Sequence, residues 1–400
     1  MARNLEDDLN EKIDRAILEE AQKPRRERMS NVALGRMFDV HETTIRRHKQ
    51  ALQKALRLPV EQDRDEFFDI PVNAITQRRR TIRLEDGSYE RVTYNPAVAV
   101  AEDVREASYE ELEKVFDRAV LAVAPKVEAD RPKTLVVCLS DFQVGKTDSL
   151  GGTQETVNRV MTTLKRITEW LQTEGSYEEI IVADVGDVCE GFWNVTSQQQ
   201  TNDLSLTDQI RVAQRLMAEA IAMLAPLCTR MTYVSIPSNH CAVRTGRGND
   251  NRANSPDDDF GLLIADTIQA IMSGREPFSH VNFAKPQKWE EAVTVETADG
   301  TAVGFTHGHL AGSQAKIPSW FRDLAFGHRS GLHEASILVH GHFHNFGVSL
   351  VGDNKFIIGC PTADNGSSWF TNRTGDATDP ALLTFEVQDK KAKRWELWYE

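Results

Sequence analysis

The sequence predicts an α/β protein preceded by a small all-α module, and three observations carry that expectation. Residues 134–400 alternate short, continuous apolar runs with helical stretches, the pattern of strands buried on both faces of a sheet. Residues 1–58 place their apolar residues at helical spacing, punctuated by cap and turn residues. Asp, Asn and His residues follow the apolar runs instead of lying within them. A length of 400 residues exceeds one small module, and 40% apolar with 27% charged residues is ordinary globular composition, which excludes wholesale disorder.

The elements follow in order. Leu9, Ile13, Ile17 and Leu18 mark a first helix that Pro24 ends. Ser30 is a good N-cap for a second helix, Asn31–Phe38. After a break at residues 39–42, a third helix runs from Thr43 to Leu56 with Ile45, Leu52 and Leu56 inward. Residues 59–133 read as a linker holding a β-hairpin, Thr81–Leu84 and Tyr89–Tyr94 around Asp86-Gly87-Ser88, and a charged amphipathic helix, Tyr109–Val123. In residues 134–400 the strand runs are Thr134–Leu139, Glu179–Val185, Met231–Ile236, Thr301–Thr306, Ser336–Val339 and Lys355–Ile358. The clearest helices are Thr153–Thr173 and Leu206–Leu224, and Ala381–Val387 with Arg394–Trp398 forms a closing antiparallel hairpin.

Several classes are excluded. The first residues carry no apolar core of a secretory signal, and runs such as Leu135–Leu139 fall far short of the ~20 residues a membrane helix needs. Cysteines 138, 189, 228, 241 and 360 are odd in number and widely spaced, which argues for a reducing cytoplasm and against a disulfide framework or a thiolate zinc site. A net charge of −13 argues against a protein that simply coats nucleic acid. The charge is uneven, however. Residues 23–57 hold ten Lys and Arg against three acids, a net +7, which leaves −20 on the remainder.

The polar residues after the strand runs fall in a definite order. Ser140-Asp141-Phe142-Gln143 follows the first and Gly186-Asp187 the second. Ser238-Asn239-His240, His307-Gly308-His309 and Gly341-His342-Phe343-His344 follow the next three. Strand C-terminal ends are where α/β sheets converge their loops on ligands. Nine of the eleven histidines lie between 240 and 344, and seven of those between 307 and 344. Carboxylates, an amide and several imidazoles suit divalent ions of borderline hardness. Two such ions ~3.5–4 Å apart can bridge a hydroxide and hold a phosphate for in-line attack. A competing motif, Ser140–Thr147, ends in Gly-Lys-Thr like a phosphate-binding loop. It lacks the opening Gly, and Asp148–Gly152 separates its Lys from the next helix, so that reading is disfavoured.

This order resembles the calcineurin-like metallophosphoesterase superfamily, whose pattern runs Asp-x-His, Gly-Asp, Gly-Asn-His, His, Gly-His-x-His. The resemblance covers roughly residues 134–365 and implies a two-sheet sandwich flanked by helices. It implies that Asp187 bridges two metals, that Asp141 and His344 hold the first with Gln143, and that Asn239, His307 and His342 hold the second. It gives His240 the task of contacting the phosphate and protonating the leaving oxygen, so that His240 and Asp187 are the catalytic pair. Mn²⁺ is the favoured ion, with Mg²⁺, Zn²⁺ or Fe²⁺ acceptable. Three departures stand out. Gln143 replaces the second ligand of Asp-x-His, Cys241 replaces a common acid after His240, and Ser238 replaces a Gly. The Asp-x-Gln form is similar to phage-type members related to SbcD-like repair exonucleases, which work with a separate coiled-coil ATPase subunit. Lys146, Arg244 and His309 are candidate substrate contacts.

Residues 30–50 resemble a helix-turn-helix. Leu34, Phe38, Val40 and Ile45 would be buried, Gly35 would sit where the helices touch, and Asp39 takes the turn position usually held by Gly. Thr43, Thr44, Arg46, Arg47, His48 and Lys49 would then face DNA. The leading expectation is therefore a cytoplasmic, metal-dependent DNA exo- or endonuclease, with homodimerisation compatible with either module. The alternatives are a phosphatase acting on small molecules or proteins, and a DNA-binding regulator whose second domain is only weakly active.

Overall fold

The structure is a computed structural model that describes residues 2–22, 29–55, 78–83, 89–94, 109–118, 132–174, 177–193, 201–245, 252–253, 255–327, 331–352, 355–368, 371–372, 375, 377 and 379–400. The chain divides into two compact units, Met1–Pro71 and Val72–Glu400. Among the described residues, no helix is long and apolar enough to cross a membrane.

The first unit packs helices α1 (Ala2–Gln22), α2 (Asn31–Met37) and α3 (Glu42–Ala55) around Ile13, Ile17, Leu34 and Ile45, with Phe38 and Val40 half-buried against them. Ser30 caps α2 by accepting from Ala33 N at 3.1 Å. The turn between α2 and α3 needs a left-handed residue, and Asp39 supplies it at φ 53°. Gly35 is required by close approach: a Cβ there would lie 2.7 Å from Val40 O. Leu56 and the expected inward face of Leu52 lie outside what is described.

The second unit begins with the hairpin β1 (Arg78–Arg83) and β2 (Tyr89–Tyr94), paired Arg83↔Tyr89 at its turn. Helix α4 (Tyr109–Arg118), expected within a linker, inserts Leu112, Val115 and Phe116 into the main core. Then follow β3 (Thr134–Leu139), α5 (Thr153–Glu174), β4 (Glu179–Asp184), α6 (Leu206–Leu224) and β5 (Arg230–Ser235). A small excursion, β6 (Arg244–Thr245) with β7 (Arg252–Ala253), precedes α7 (Phe260–Met272). Next come β8 (Val281–Ala284), β9 (Ala292–Glu296), β10 (Ala302–Thr306) and α8 (Ile317–Gly327). The chain closes with β11 (Ile337–His340), β12 (Gly347–Val351), β13 (Lys355–Gly359), β14 (Ala381–Gln388) and β15 (Lys391–Tyr399).

Two mixed sheets result. One has six strands in the order β15-β14-β3-β4-β5-β8, and β3, β4, β5 and β8 run parallel. The other has five in the order β12-β13-β11-β10-β9, with β10, β11 and β13 parallel. Alternation along β3 explains the layering. Leu135, Val137 and Leu139 face α4, α5, α6 and α7, whereas Val136 and Cys138 face the second sheet through Val303, Phe305, Val339 and Ile358. The outer face of the second sheet packs Leu338 and Ile357 on Ile317 and Phe321 of α8. Continuous apolar runs require cover on both faces. For both sheets, helices cover one face and the partner sheet covers the other.

Candidate metal centre

Loops leaving β3, β4, β5, β10 and β11 bring their polar residues together. The first two are locked side by side because backbone pairing continues past the strands. Asp141 N donates to Gly186 O at 3.0 Å, Gln143 N to Asp187 O at 2.9 Å, and Val144 N to Val188 O at 3.0 Å. The backbone is strained where the side chains converge. Of ten non-glycine residues with positive φ among those described, five are Asp141, Gln143, Asp187, His342 and His344. Each such conformation costs on the order of 1–2 kcal/mol and persists only where surrounding contacts enforce it, which is typical of functional sites. Gly341 is dictated by space, since a Cβ there would lie 2.6 Å from Asp141 Oδ2.

One half of the site is a set of facing lone pairs. The ligand atoms of Asp187, His307 and His342 lie within 4.8 Å of one another. His307 is fully buried, and its Nδ1 lies 2.9 Å from Val185 O, so Nδ1 carries a proton and donates it to that carbonyl. Nε2 then meets Asp187 Oδ2 at 2.9 Å and Asn239 Oδ1 at 3.0 Å. In the neutral ring these are three electron-rich atoms, and buried Asp187 Oδ2 has no hydrogen bond. Such a cluster needs a cation at its centre. A proton is one solution. Burial opposes charging His307, but the Asp187 carboxylate beside it outweighs that and raises the ring to about 9. A divalent metal is the other, and one carboxylate, one amide and two imidazoles are a fitting donor set. Burial, and next the charge on a protonated His307, push His342 down to about 4. Burial would raise the Asp187 carboxyl, yet His307 and His240 hold it well below the usual range.

His240 sits beside this cluster, with its Nε2 3.9 Å from Asp187 Oδ2 and its backbone N donating to Asp187 Oδ1 at 2.8 Å. Its Nδ1 donates to Glu190 O at 2.8 Å and lies 3.2 Å from Glu190 Oε2. Burial works against a charged ring here too, but the carboxylates of Asp187 and Glu190 raise His240 to about 9. The acid beside the His240 ring is therefore Glu190, from the loop that follows β4. Cys241 itself is buried, its Sγ 3.4 Å from Cys189 N.

The other half is saturated with protein donors. Asp141 accepts from His342 N at 3.2 and 3.1 Å on its two oxygens and from the Ser140 hydroxyl. His344 faces Asp141 Oδ1 through Nε2 at 3.1 Å and Asp364 Oδ2 through Nδ1 at 3.5 Å. Gln143 Oε1 accepts from Lys146 Nζ at 2.6 Å, and the same ammonium pairs with Asp364. Asp141 is fully buried, which favours its neutral form, but the adjacent His344 and His307 bring its pKa below the ordinary value.

The remaining candidates spread around this centre. Arg244 donates to Asn239 O at 3.1 Å, on the loop that carries the Asn239 amide. His309 stacks near His307 at 5.6 Å and near His342 at 6.1 Å, and burial plus the charge on His307 lower it to about 3. Lys146 is not the lysine of a phosphate cradle, because α5 begins only at Thr153. In the first unit, Thr43, Arg46 and Arg47 are exposed and Thr44 and Lys49 half-buried. His48 turns inward to Asp14 Oδ1 at 2.6 Å, which ties α3 to α1 instead of presenting the ring. Glu190 and Asp364 were not anticipated as site residues. Glu190 was findable as an acid three residues beyond Asp187, whereas Asp364 follows β13 without any motif.

Compared with known proteins, the chain matches no protein-family model, and no curated protein is a significant match.

Proposed function

We propose that the second unit is a metal-dependent phosphodiesterase and that the first unit directs it to DNA. The observation that carries this reading is that Asp187 Oδ2 and Asn239 Oδ1 both lie at hydrogen-bond distance from His307 Nε2, 2.9 and 3.0 Å, with His240 alongside. A divalent ion held by Asp187, Asn239, His307 and His342 supplies Lewis acidity toward a phosphoryl oxygen and makes a coordinated water more acidic. The chain's own residues do the rest. Val185 O fixes the His307 tautomer. Asp187 offsets positive charge, and its backbone N is anchored on Ser238 Oγ at 2.8 Å. His240, charged through Asp187 and Glu190, holds a proton on Nε2 for the departing ester oxygen.

Support for a polynucleotide substrate is the net +7 of residues 23–57 and the exposed Arg46 and Arg47 at the start of α3. The test uses the full chain with Mn²⁺, labelled duplex and single-stranded DNA, and bis(p-nitrophenyl) phosphate. Wild type is expected to cleave DNA and the small diester, and Asp187→Asn neither. Arg46→Ala/Arg47→Ala should spare the small diester and slow cleavage of DNA. Turnover of the diester without DNA cleavage would redirect the reading to a small-molecule phosphodiesterase. DNA binding without any turnover would favour a regulator.

A further inference from the structure

The two halves of the centre differ in one respect that bears on metal content. Around Asp187, Oδ2 and Asn239 Oδ1 both face His307 Nε2, and among the described residues no other donor meets Asp187 Oδ2. Around Asp141 the two carboxylate oxygens and the Gln143 carbonyl oxygen already have donors other than an imidazole. Both Asp141 oxygens take backbone N–H from His342, and the Ser140 hydroxyl caps one of them. Both nitrogens of His344 look at carboxylates. Gln143, the residue that departs from the family pattern, spends its carbonyl oxygen on Lys146 Nζ at 2.6 Å. That ammonium is firmly seated. The Lys146 side chain is 12% exposed, and its partner Asp364 is fully buried. Asp364 is itself fixed through Thr362 Oγ1 to its backbone N at 3.0 Å and Gly366 N to its Oδ1 at 2.8 Å.

We infer that the Lys146 ammonium is a built-in substitute for the first metal, so that the chain takes up one divalent ion, at Asp187, Asn239, His307 and His342, instead of two. This rests on the metal-centre reading above. The physical reason lies in charge and donor supply. A neutral amide oxygen is a weak ligand, and here it is already engaged. A second divalent ion would have to take Gln143 Oε1 from Lys146 and then sit beside the ammonium that Asp364 holds, two positive charges side by side in a largely buried site. The ammonium instead brings a fixed single positive charge to the Gln143–Asp364 side of the site without needing a ligand set. Gln143 and Lys146 then form a unit: the glutamine tolerates the lysine where an imidazole ligand would compete with it for an ion.

The experiment measures metal directly. The full chain, stripped with chelator and reloaded with Mn²⁺, is analysed for ions per chain by elemental mass spectrometry after dialysis. Its low-temperature electron paramagnetic resonance spectrum is recorded in parallel. One tight Mn²⁺ per chain with the six-line signal of an isolated ion is expected. The triple variant Gln143→His/Lys146→Met/Asp364→Asn removes the ammonium together with its buried counter-charge and restores an imidazole. It should approach two ions per chain, with the signal of a spin-coupled pair. Two ions and a coupled signal in wild type overturn the inference and leave the metal centre standing, and that measurement does not depend on the variant folding. No bound ion in wild type, the same as Asp187→Asn, overturns both. A correctly folded triple variant that stays at one ion also overturns the inference, because the ammonium would then not be what excludes the second.

Discussion

Glu190→Gln isolates the charge that holds the His240 proton. Glu190 Oε2 lies 3.2 Å from His240 Nδ1, and the ring is raised from 6.5 to about 9 by Asp187 and Glu190 together, against burial. At that separation two unit charges interact by about 1.3 kcal/mol in bulk water and about 5 kcal/mol at an effective dielectric constant of 20. The lower limit alone is about one pKa unit. The rise to about 9 is what two carboxylates achieve against burial, so removing one should lower His240 by about one to two units. Gln keeps the shape, and the Nδ1 bond to Glu190 O is a backbone contact that survives. A proton donor works only below its pKa, so activity is retained at low pH and lost as pH rises through that value. The alkaline limb of kcat/KM for a dinucleotide should therefore move down by one to two units in Glu190→Gln. Bis(p-nitrophenyl) phosphate, whose leaving phenol is acidic and needs little protonation, should show a much smaller shift. An unmoved alkaline limb with the dinucleotide, or equal shifts with both substrates, would refute the assignment of His240 as the proton donor.

Three further outcomes follow from the geometry. Mn²⁺ at a hundredfold excess over its Kd should stabilise the folded chain by about 2.7 kcal/mol. Asp187→Asn should abolish this, as read from thermal unfolding with and without the ion. Asp184, buried beneath the site and bonded to Gly186 N and the Ser235 hydroxyl, is raised from 3.8 to about 7, chiefly by burial. The folded chain thus keeps a proton that the unfolded chain releases, and stability falls as pH rises from about 4 to 7. Asp184→Asn should flatten that fall by up to roughly 4 kcal/mol, as measured by urea unfolding across the range. If Arg46 and Arg47 contact phosphates, their double replacement by Ala should reduce the salt slope of DNA affinity by about 1.8, from fluorescence anisotropy at several salt concentrations.

The strands and helices of residues 134–400 were legible because their signals are local. Leu135 to Leu139 is apolar throughout because one face meets helices and the other a second sheet. From the run itself a strand covered by helices on both sides looks the same, so the two-sheet arrangement came from the family resemblance and not from periodicity. The core contribution of Leu112, Val115 and Phe116 was missed because an amphipathic helix bordered by acidic segments does not say what it packs on. In the first unit, the basic helix pattern gives no sign that His48 meets Asp14, 34 residues earlier.

The sequence by itself determined the kinds of candidate ligand and their order along the chain. Asp141, Asp187, Asn239, His307 and His342 each follow an apolar run, and a strand end is a local feature. Only the tertiary structure decided which of their lone pairs are free. Gln143 is engaged by Lys146, Lys146 is held by Asp364 across 218 residues, and His240 is backed by Glu190 across 50. Hydrogen-bond capacity is a property of a side chain, but whether it is already used depends on what the fold brings within 3 Å, and no spacing in the chain encodes that.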